Sequence, residues 1–245
     1  MRTYGLIGFP LTHSFSSKYF ADKFSLEGII DCIYKNFPLE NIKEFPVLLR
    51  AETLSGLNVT IPHKESIIEY LDEIEDTARA IGAVNCIKFI NGRSVGYNTD
   101  VFGFGESLKH FIGNIELNAL ILGTGGSSKA VAFALKQMNI PYQLVTRTAK
   151  TNCISYNDVT EDIIFSHKLI INTTPVGMFP DTDNAPALPY QYLTSGHFLY
   201  DLIYDPAKTE FLRQGSTYGA QTKNGIEMLQ LQAERSWGIW NSDPA

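Results

Sequence analysis

Lys64 stands where a cation is least expected. The run Leu57-Asn58-Val59-Thr60-Ile61 alternates apolar and polar residues with the period of a half-buried strand; Pro62, which suits the first turn of a helix, and then His63 and Lys64 follow. The start of a helix is the positive end of its dipole and ordinarily attracts acids. A lysine held there, partly out of water, releases its proton more readily, as a general acid must. His63 is expected to face away, as a structural or surface residue. A second set of residues suits a dinucleotide. Gly123-Thr124-Gly125-Gly126-Ser127-Ser128-Lys129-Ala130 follows the apolar run Asn118–Leu122 and opens a helical stretch. Glycines let a backbone approach a pyrophosphate, and the helix start offers unpaired N–H groups to its oxygens. Gly123, Gly125, Gly126 and Ser127 are the candidate contacts, although the third small position departs from a plain GxGxxG. About 20 residues on, where an NAD site carries an acid for the ribose hydroxyl, the chain reads Thr146-Arg147-Thr148-Ala149-Lys150. Arg147, Thr148 and Lys150 suit a 2′-phosphate instead, so the expected cofactor is NADP(H). Ser14 and Ser16, at another helix start, form a candidate anion site.

The elements that must position these groups alternate. Strands are predicted over 3–8, 29–37 and 57–61, and helices over about 14–27, 40–51, 64–70 and 74–81. Asn91-Gly92 between 83–90 and 94–97 is a hairpin signal. After Asn98-Thr99-Asp100 the pattern resets: helix 101–111, strand 118–123, helix 128–138, strands 142–146, 168–172 and 198–203, and a closing helix over 225–240. This predicts an α/β protein of two α/β domains, each with a mostly parallel sheet, the first carrying one antiparallel piece, and a boundary near residue 100.

Composition limits the alternatives. The chain has 245 residues, a net charge of −6 and no Lys/Arg cluster, which argues against nucleic acid as a partner. No run approaches the 18 apolar residues of a membrane helix, and no signal segment opens the chain, so no membrane partner is expected. Cys32, Cys86 and Cys153 are far apart and read as reduced thiols of a cytoplasmic protein. His13, His63, His110, His167 and His197 show no ligand spacing, and no metal site is expected.

Taken together, the segments resemble shikimate dehydrogenase over nearly the whole length. The matching segments are Pro10-Leu11-Thr12-His13-Ser14-Phe15-Ser16, Asn58–Lys64, Ala83-Val84-Asn85, Asn98-Thr99-Asp100, Asn172–Met178, Asp201-Leu202-Ile203-Tyr204 and Asn224–Gln232. The resemblance implies reduction of 3-dehydroshikimate to shikimate with NADPH, on the route to chorismate and aromatic amino acids. It implies a substrate domain, 1–100 completed by 226–245, and a Rossmann-like NADP domain, 101–225, with a cleft between them. Ser14 and Ser16 would bind the substrate carboxylate, and Thr60, Asn85, Asp100 and Gln232 its ring hydroxyls. Lys64 would stand beside the reacting oxygen, Leu202 and Gly225 near the nicotinamide, and Tyr204 near the substrate. A buried lysine needs a compensating charge, and Asp100 is the expected partner in a catalytic pair. The stretch after Arg147 departs from the family, with Thr146 in place of its first Asn, Thr151 in place of its last Arg, and a shortened helix. The expected partner is a small molecule, and the protein a monomer or homodimer. A dehydrogenase of mixed quinate and shikimate specificity is the near rival. A folate-type methylene dehydrogenase and a non-catalytic NADP-sensing protein are further ones, the last predicting decay of the Lys64 and Asp100 positions, which are intact.

Overall fold

The computed structural model describes residues 1–11, 15–148 and 151–242, so the expectations for Ser14 and Lys150 lie outside the described residues. The chain groups into two compact units, Met1–Thr99 with Gln232–Ala245, and Asp100–Leu231.

The first unit is built on β1 (Arg2–Gly8), β2 (Cys32–Pro38), β3 (Gly56–Val59), β4 (Glu73–Ile74), β5 (Cys86–Ile90) and β6 (Arg93–Tyr97), in the sheet order β2-β1-β3-β5-β6-β4. β1 pairs in parallel with β2 and β3, whereas β5 runs antiparallel to β3 and β6. The predicted hairpin forms at Asn91 (φ 50°) and Gly92 (φ 79°), the two left-handed positions a tight hairpin turn requires. Helices α1 (Phe15–Leu26), α2 (Phe45–Ala51) and α3 (Asp76–Ile81) cover the sheet. Leu57, Val59, Ile7, Ile67 and Ile87 pack on one face; Tyr4, Phe20, Cys86 and Trp240 pack on the other.

Two expectations change here. Residues 40–51 do not form one helix; a short 3₁₀ turn, Ile42–Glu44, is capped by Asn41, and α2 restarts with Pro46 in its first turn, the place a ring without an N–H tolerates best. The helix predicted from Lys64 is instead a 3₁₀ stretch, Ser66–Tyr70, and residues 61–65 are turn and irregular backbone.

The second unit holds α4 (Asp100–Ile112), β7 (Ala119–Leu122), α5 (Gly126–Gln137), β8 (Tyr142–Thr146), β9 (Cys153–Ser155), α6 (Glu161–Ser166), β10 (Leu169–Asn172), β11 (Phe198–Asp201), α7 (Glu210–Thr217) and β12 (Gln221–Lys223). Its six strands are all parallel, in the order β12-β11-β10-β7-β8-β9. Counting from β7, that order is 3-2-1-4-5-6, the doubly wound Rossmann arrangement, whose direction reverses between β7 and β10. The strands are short and apolar on both faces, as sheets covered on both sides are. Only residues 147–152 join β8 to β9, far fewer than the dozen or more a parallel crossover usually takes. The closing helix α8 (Ile226–Asn241) contributes its beginning to this unit and its remainder, from Gln232, to the first.

Candidate active site

In the first unit, β1 and β3 end side by side. Thr60 N–H donates to the Ile7 carbonyl (2.9 Å), and a Cβ on Gly8 would lie 2.3 Å from Thr60 Cγ2, so a side chain there would push the two segments apart. Beyond Thr60 the chain turns, with His63 N–H donating to the Thr60 carbonyl (3.0 Å). His63 points inward: it is buried and its Nε2 donates to the Leu39 carbonyl (2.7 Å). Lys64 is half-buried, and its carbonyl accepts from Val84 N–H (2.7 Å), which ties this turn to the segment 83–85. The expectation that Lys64 faces a helix dipole is therefore corrected. The turn, not a helix N-terminus, holds it, because the first helical residue comes only at Ser66.

The same segment anchors residues 98–99. Asn98 Nδ2 donates to the Ala83 carbonyl (2.9 Å), and Thr99 N–H to Asn85 Oδ1 (2.6 Å). Asn85 Nδ2 in turn reaches Thr99 Oγ1 (3.0 Å) and Gln232 Oε1 (3.3 Å). Two residues predicted to bind substrate, Asn85 and Gln232, thus meet although 147 positions separate them in the chain. A layer of polar groups that sequence reasoning missed lies behind them. Tyr34 hydroxyl donates to Asn58 Oδ1 (2.9 Å), Asn58 Nδ2 donates to Ser236 Oγ (2.9 Å), and Ser236 Oγ to the Gln232 carbonyl (2.9 Å). Burial pushes the Tyr34 phenol well above its usual pKa, against a smaller downward pull from the buried Ser16 nearby. The one signal for this layer was Asn58, a polar residue at an inward position of a strand. Asp100 follows Thr99 directly; it is buried and opens α4. An acid belongs in the first turn of a helix, so the dipole argument applies to Asp100 rather than to Lys64.

In the second unit the glycine loop leaves β7 at the point where strand order reverses. Gly123 has φ +109°, and a Cβ there would come within 2.8 Å of Thr173 Oγ1, at the end of β10. Ser128 Oγ closes the loop on the Gly123 carbonyl (2.8 Å). Gly125 caps α5 with no side-chain hydrogen bond, no acid stands in the first turn, and a Cβ on Gly125 would meet nothing within 4 Å. Gly126 and Ser127 begin the helix, where N–H groups lack intrahelical partners. The open glycine backbone and these N–H groups fit the pyrophosphate of a dinucleotide. Leu202 and Gly225 also meet: Gly225 N–H donates to the Ile203 carbonyl (3.0 Å), and a Cβ on Gly225 would lie 2.1 Å from the Leu202 carbonyl oxygen. Tyr204 follows on the same segment and is half-buried. Arg147 and Thr148 continue from β8 and are exposed.

Close by, the fully buried Asp201 accepts from Asn172 Nδ2 (3.0 Å), Ile203 N–H (3.0 Å) and Thr209 Oγ1 (2.6 Å). Burial raises its pKa to about 6, although these three donors pull the other way. It joins the ends of β10 and β11, and so fixes the Leu202–Tyr204 segment.

Similar proteins share the fold of the chain. Residues 6–87 match the family described as the shikimate dehydrogenase substrate binding domain. The chain is 40% identical to the NADP(+) shikimate dehydrogenase of Methanococcus maripaludis strain C6, over 96% of this chain and 90% of that one. The crystal structure of the Aquifex aeolicus shikimate dehydrogenase superposes with a TM-score of 0.89 at 34% identity, covering 100% of this chain and 94% of that one. The Thermus thermophilus shikimate 5-dehydrogenase, solved with NADP(H) and shikimate, gives 0.87 at 30% identity, covering 98% and 94%. With a glycine cradle at the strand-order reversal of one unit, an ordered Lys64 turn in the other, and this degree of identity over nearly the full length, the chain belongs to the shikimate dehydrogenase family.

Proposed function

We propose that the chain catalyses the reversible NADP-dependent reduction of 3-dehydroshikimate to shikimate. The observation that carries this reading is the convergence of Thr60 with the Lys64 turn, Asn85, Thr99 and Gln232 within one unit, from four separate stretches of sequence. In this reading Met1–Thr99 with Gln232–Ala245 takes the substrate and Asp100–Leu231 takes the cofactor. Bound NADPH supplies the hydride. Gly123, Gly125, Gly126 and Ser127 would hold its pyrophosphate, Arg147, Thr148 and Lys150 its 2′-phosphate, and Leu202 and Gly225 would flank its nicotinamide.

The chain's own residues do the rest. Ser14 and Ser16 hold the substrate carboxylate, and Thr60, Asn85, Gln232 and Tyr204 orient the ring. Reduction of the ketone leaves negative charge on its oxygen, and Lys64 Nζ donates the proton that neutralises it; in the reverse direction it takes the proton back. Asp100 compensates the lysine charge, which would otherwise be costly out of water. No described helix is long and apolar enough to cross a membrane, and the described cysteines Cys32, Cys86 and Cys153 are free thiols, which suits a cytoplasmic enzyme. We read it as acting on a small molecule, as a monomer or homodimer.

The test is oxidation of shikimate with NADP+, followed at the nicotinamide absorbance, in the parent and in Lys64→Ala. The parent is expected to turn over. The variant should keep its fold and NADP+ affinity yet lose on the order of 10²–10⁴-fold in kcat, the range of one acid–base group. A variant within a few-fold of the parent refutes the role of Lys64, and a parent inert toward shikimate but active on quinate refutes the substrate.

A further inference from the structure

The short passage from β8 to β9 leaves a gap in the cofactor site. In a doubly wound sheet the crossover after the second strand ordinarily brings a helix start, with its N–H groups, beside the adenine ribose. Residues 147–152 are too few for such a crossover helix, whereas α5 fills the passage from β7 to β8 and α6 that from β9 to β10. The donors a helix start would supply must come from elsewhere.

The register shows where. β8 and β9 are parallel, with Leu144 opposite Cys153, Val145 opposite Ile154, and Thr146 opposite Ser155. Adjacent strands run about 4.8 Å apart, and side chains alternate between faces. Arg147 and Tyr156 are the next residues after the Thr146–Ser155 pair: Arg147 leaves the end of β8, and Tyr156 opens a 3₁₀ turn, Tyr156–Asp158, on the face that carries Val145 and Ile154. Tyr156 packs its ring against the cluster of Val145, Leu120 and Leu122 on that face. Arg147 is exposed. The Arg147 charge lowers the Tyr156 phenol pKa against the larger upward push of burial, so the two groups are within electrostatic reach. No acid occurs from Arg147 to Asn157. The first one, Asp158, is occupied: Ser155 donates to its Oδ2 from both N–H (2.9 Å) and Oγ (2.6 Å). Hydrogen bonding from Ser155 holds that carboxyl below its usual pKa.

We propose that Tyr156 is a cofactor-specificity residue, its phenol donating alongside the Arg147 fork to the 2′-phosphate that distinguishes NADP(H) from NAD(H). The inference rests on the dinucleotide reading above and adds to it a residue from the end of β9 in place of the crossover helix. The phenol is a neutral donor that keeps its proton at working pH, as a partner for a dianionic phosphate must. Ser155 has the complementary task of keeping Asp158 turned back on its own backbone.

The experiment is calorimetric titration of the whole protein with 2′,5′-ADP and with 5′-AMP, at one ionic strength, in the parent, Tyr156→Phe and Arg147→Ala. Phenylalanine keeps the ring packed on the core and removes the hydroxyl alone. Tyr156→Phe is expected to weaken 2′,5′-ADP about tenfold, the worth of one hydrogen bond to a charged group, and to move 5′-AMP less than about twofold. The ratio of kcat/KM for NADP+ over NAD+ should fall by the same factor. Equal weakening of both nucleotides overturns the proposal, since Tyr156 would then support adenine or the fold in general, and so does no weakening of either. A parent that binds 2′,5′-ADP through Tyr156 but oxidises no shikimate upholds this inference and refutes the substrate assignment. A parent that binds neither nucleotide overturns both.

Discussion

At the scale of single residues, Lys64 and Asp100 differ in how the fold treats them. Lys64 is held by a turn whose carbonyl is tied to Val84, and Asp100 by its place in the first turn of α4. If they act as one unit, removing either removes most of what both provide. Asp100→Asn is expected to lower kcat, and the double variant with Lys64→Ala to lose clearly less than the sum of the two in free energy. Additive losses, measured as kcat/KM with shikimate, would make them independent. Gln232 gives a different expectation. Its side-chain Oε1 already accepts from Asn85 Nδ2 (3.3 Å) and Thr99 Oγ1 (3.3 Å), so its contacts are present before and during reaction. Gln232→Ala should therefore raise KM for shikimate far more than it lowers kcat.

At the scale of elements, strand ends decide the chemistry of the second unit. Gly225 lies so close to Leu202 that a methyl group must move backbone, not a flexible side chain. Gly225→Ala is expected to lower Tm and weaken NADP+, whereas Gly105→Ala, where a Cβ meets nothing within 4 Å, should do neither. The end of β11 also carries a pH dependence. Asp201 has a pKa of about 6 when folded, against about 3.9 for a free aspartate, so the folded state holds its proton more tightly between those values. Stability from this group is full below roughly pH 4 and is lost as pH rises through about 6. Asp201→Asn should thus gain Tm relative to the parent as pH rises from about 4 to 6, and no further above; a constant difference refutes the assignment. His197 acts with the opposite sign. It is buried, donates from Nε2 to the Ile164 carbonyl (3.0 Å) and accepts from Thr194 N–H (3.0 Å), and burial lowers its pKa. Its contribution is lost as pH falls below about 6.5, the usual histidine value.

At the scale of the molecule, the first unit is closed by the end of the chain. Trp240 stacks on Tyr4 (4.8 Å), lies 5.4 Å from Phe20, and donates to the Ile87 carbonyl (2.9 Å). A Cβ on Gly56 would come within 2.4 Å of its ring, so the sheet is shaped to receive it. Trp240→Ala is expected to cost about 3–5 kcal/mol, the range for emptying an aromatic core site. A fragment spanning 1–99 alone should fail to unfold cooperatively in a denaturant titration, because Tyr4, Phe20, Phe24 and Cys86 lose their cover. Supplying residues 226–242 as a peptide should restore the transition. Cooperative unfolding of the bare fragment would mean that the C-terminal helix is an accessory.

Sequence alone determined what is local. Alternation marked the strands, Asn91-Gly92 the hairpin, and the apolar run before Gly123 the dinucleotide loop, because each is a short-range demand of backbone geometry or of one buried face. It also identified Lys64, Asn85, Asp100 and Gln232 as candidates, through segments that resemble a family. Periodicity missed β9, α6, α7 and β12, which are three to eight residues long and too short to show a repeat. It also misplaced a helix start at Lys64, since a proline after a strand is equally at home in a turn. Tertiary structure decided the rest. That Asn85 meets Thr99 and Gln232, that Asn58 leans on Ser236, and that Tyr156 follows its strand within electrostatic reach of Arg147 all depend on strand register and on where α8 packs. Those are set by burial of apolar faces contributed by residues far apart in the chain, and no local pattern reports which distant segment will cover them.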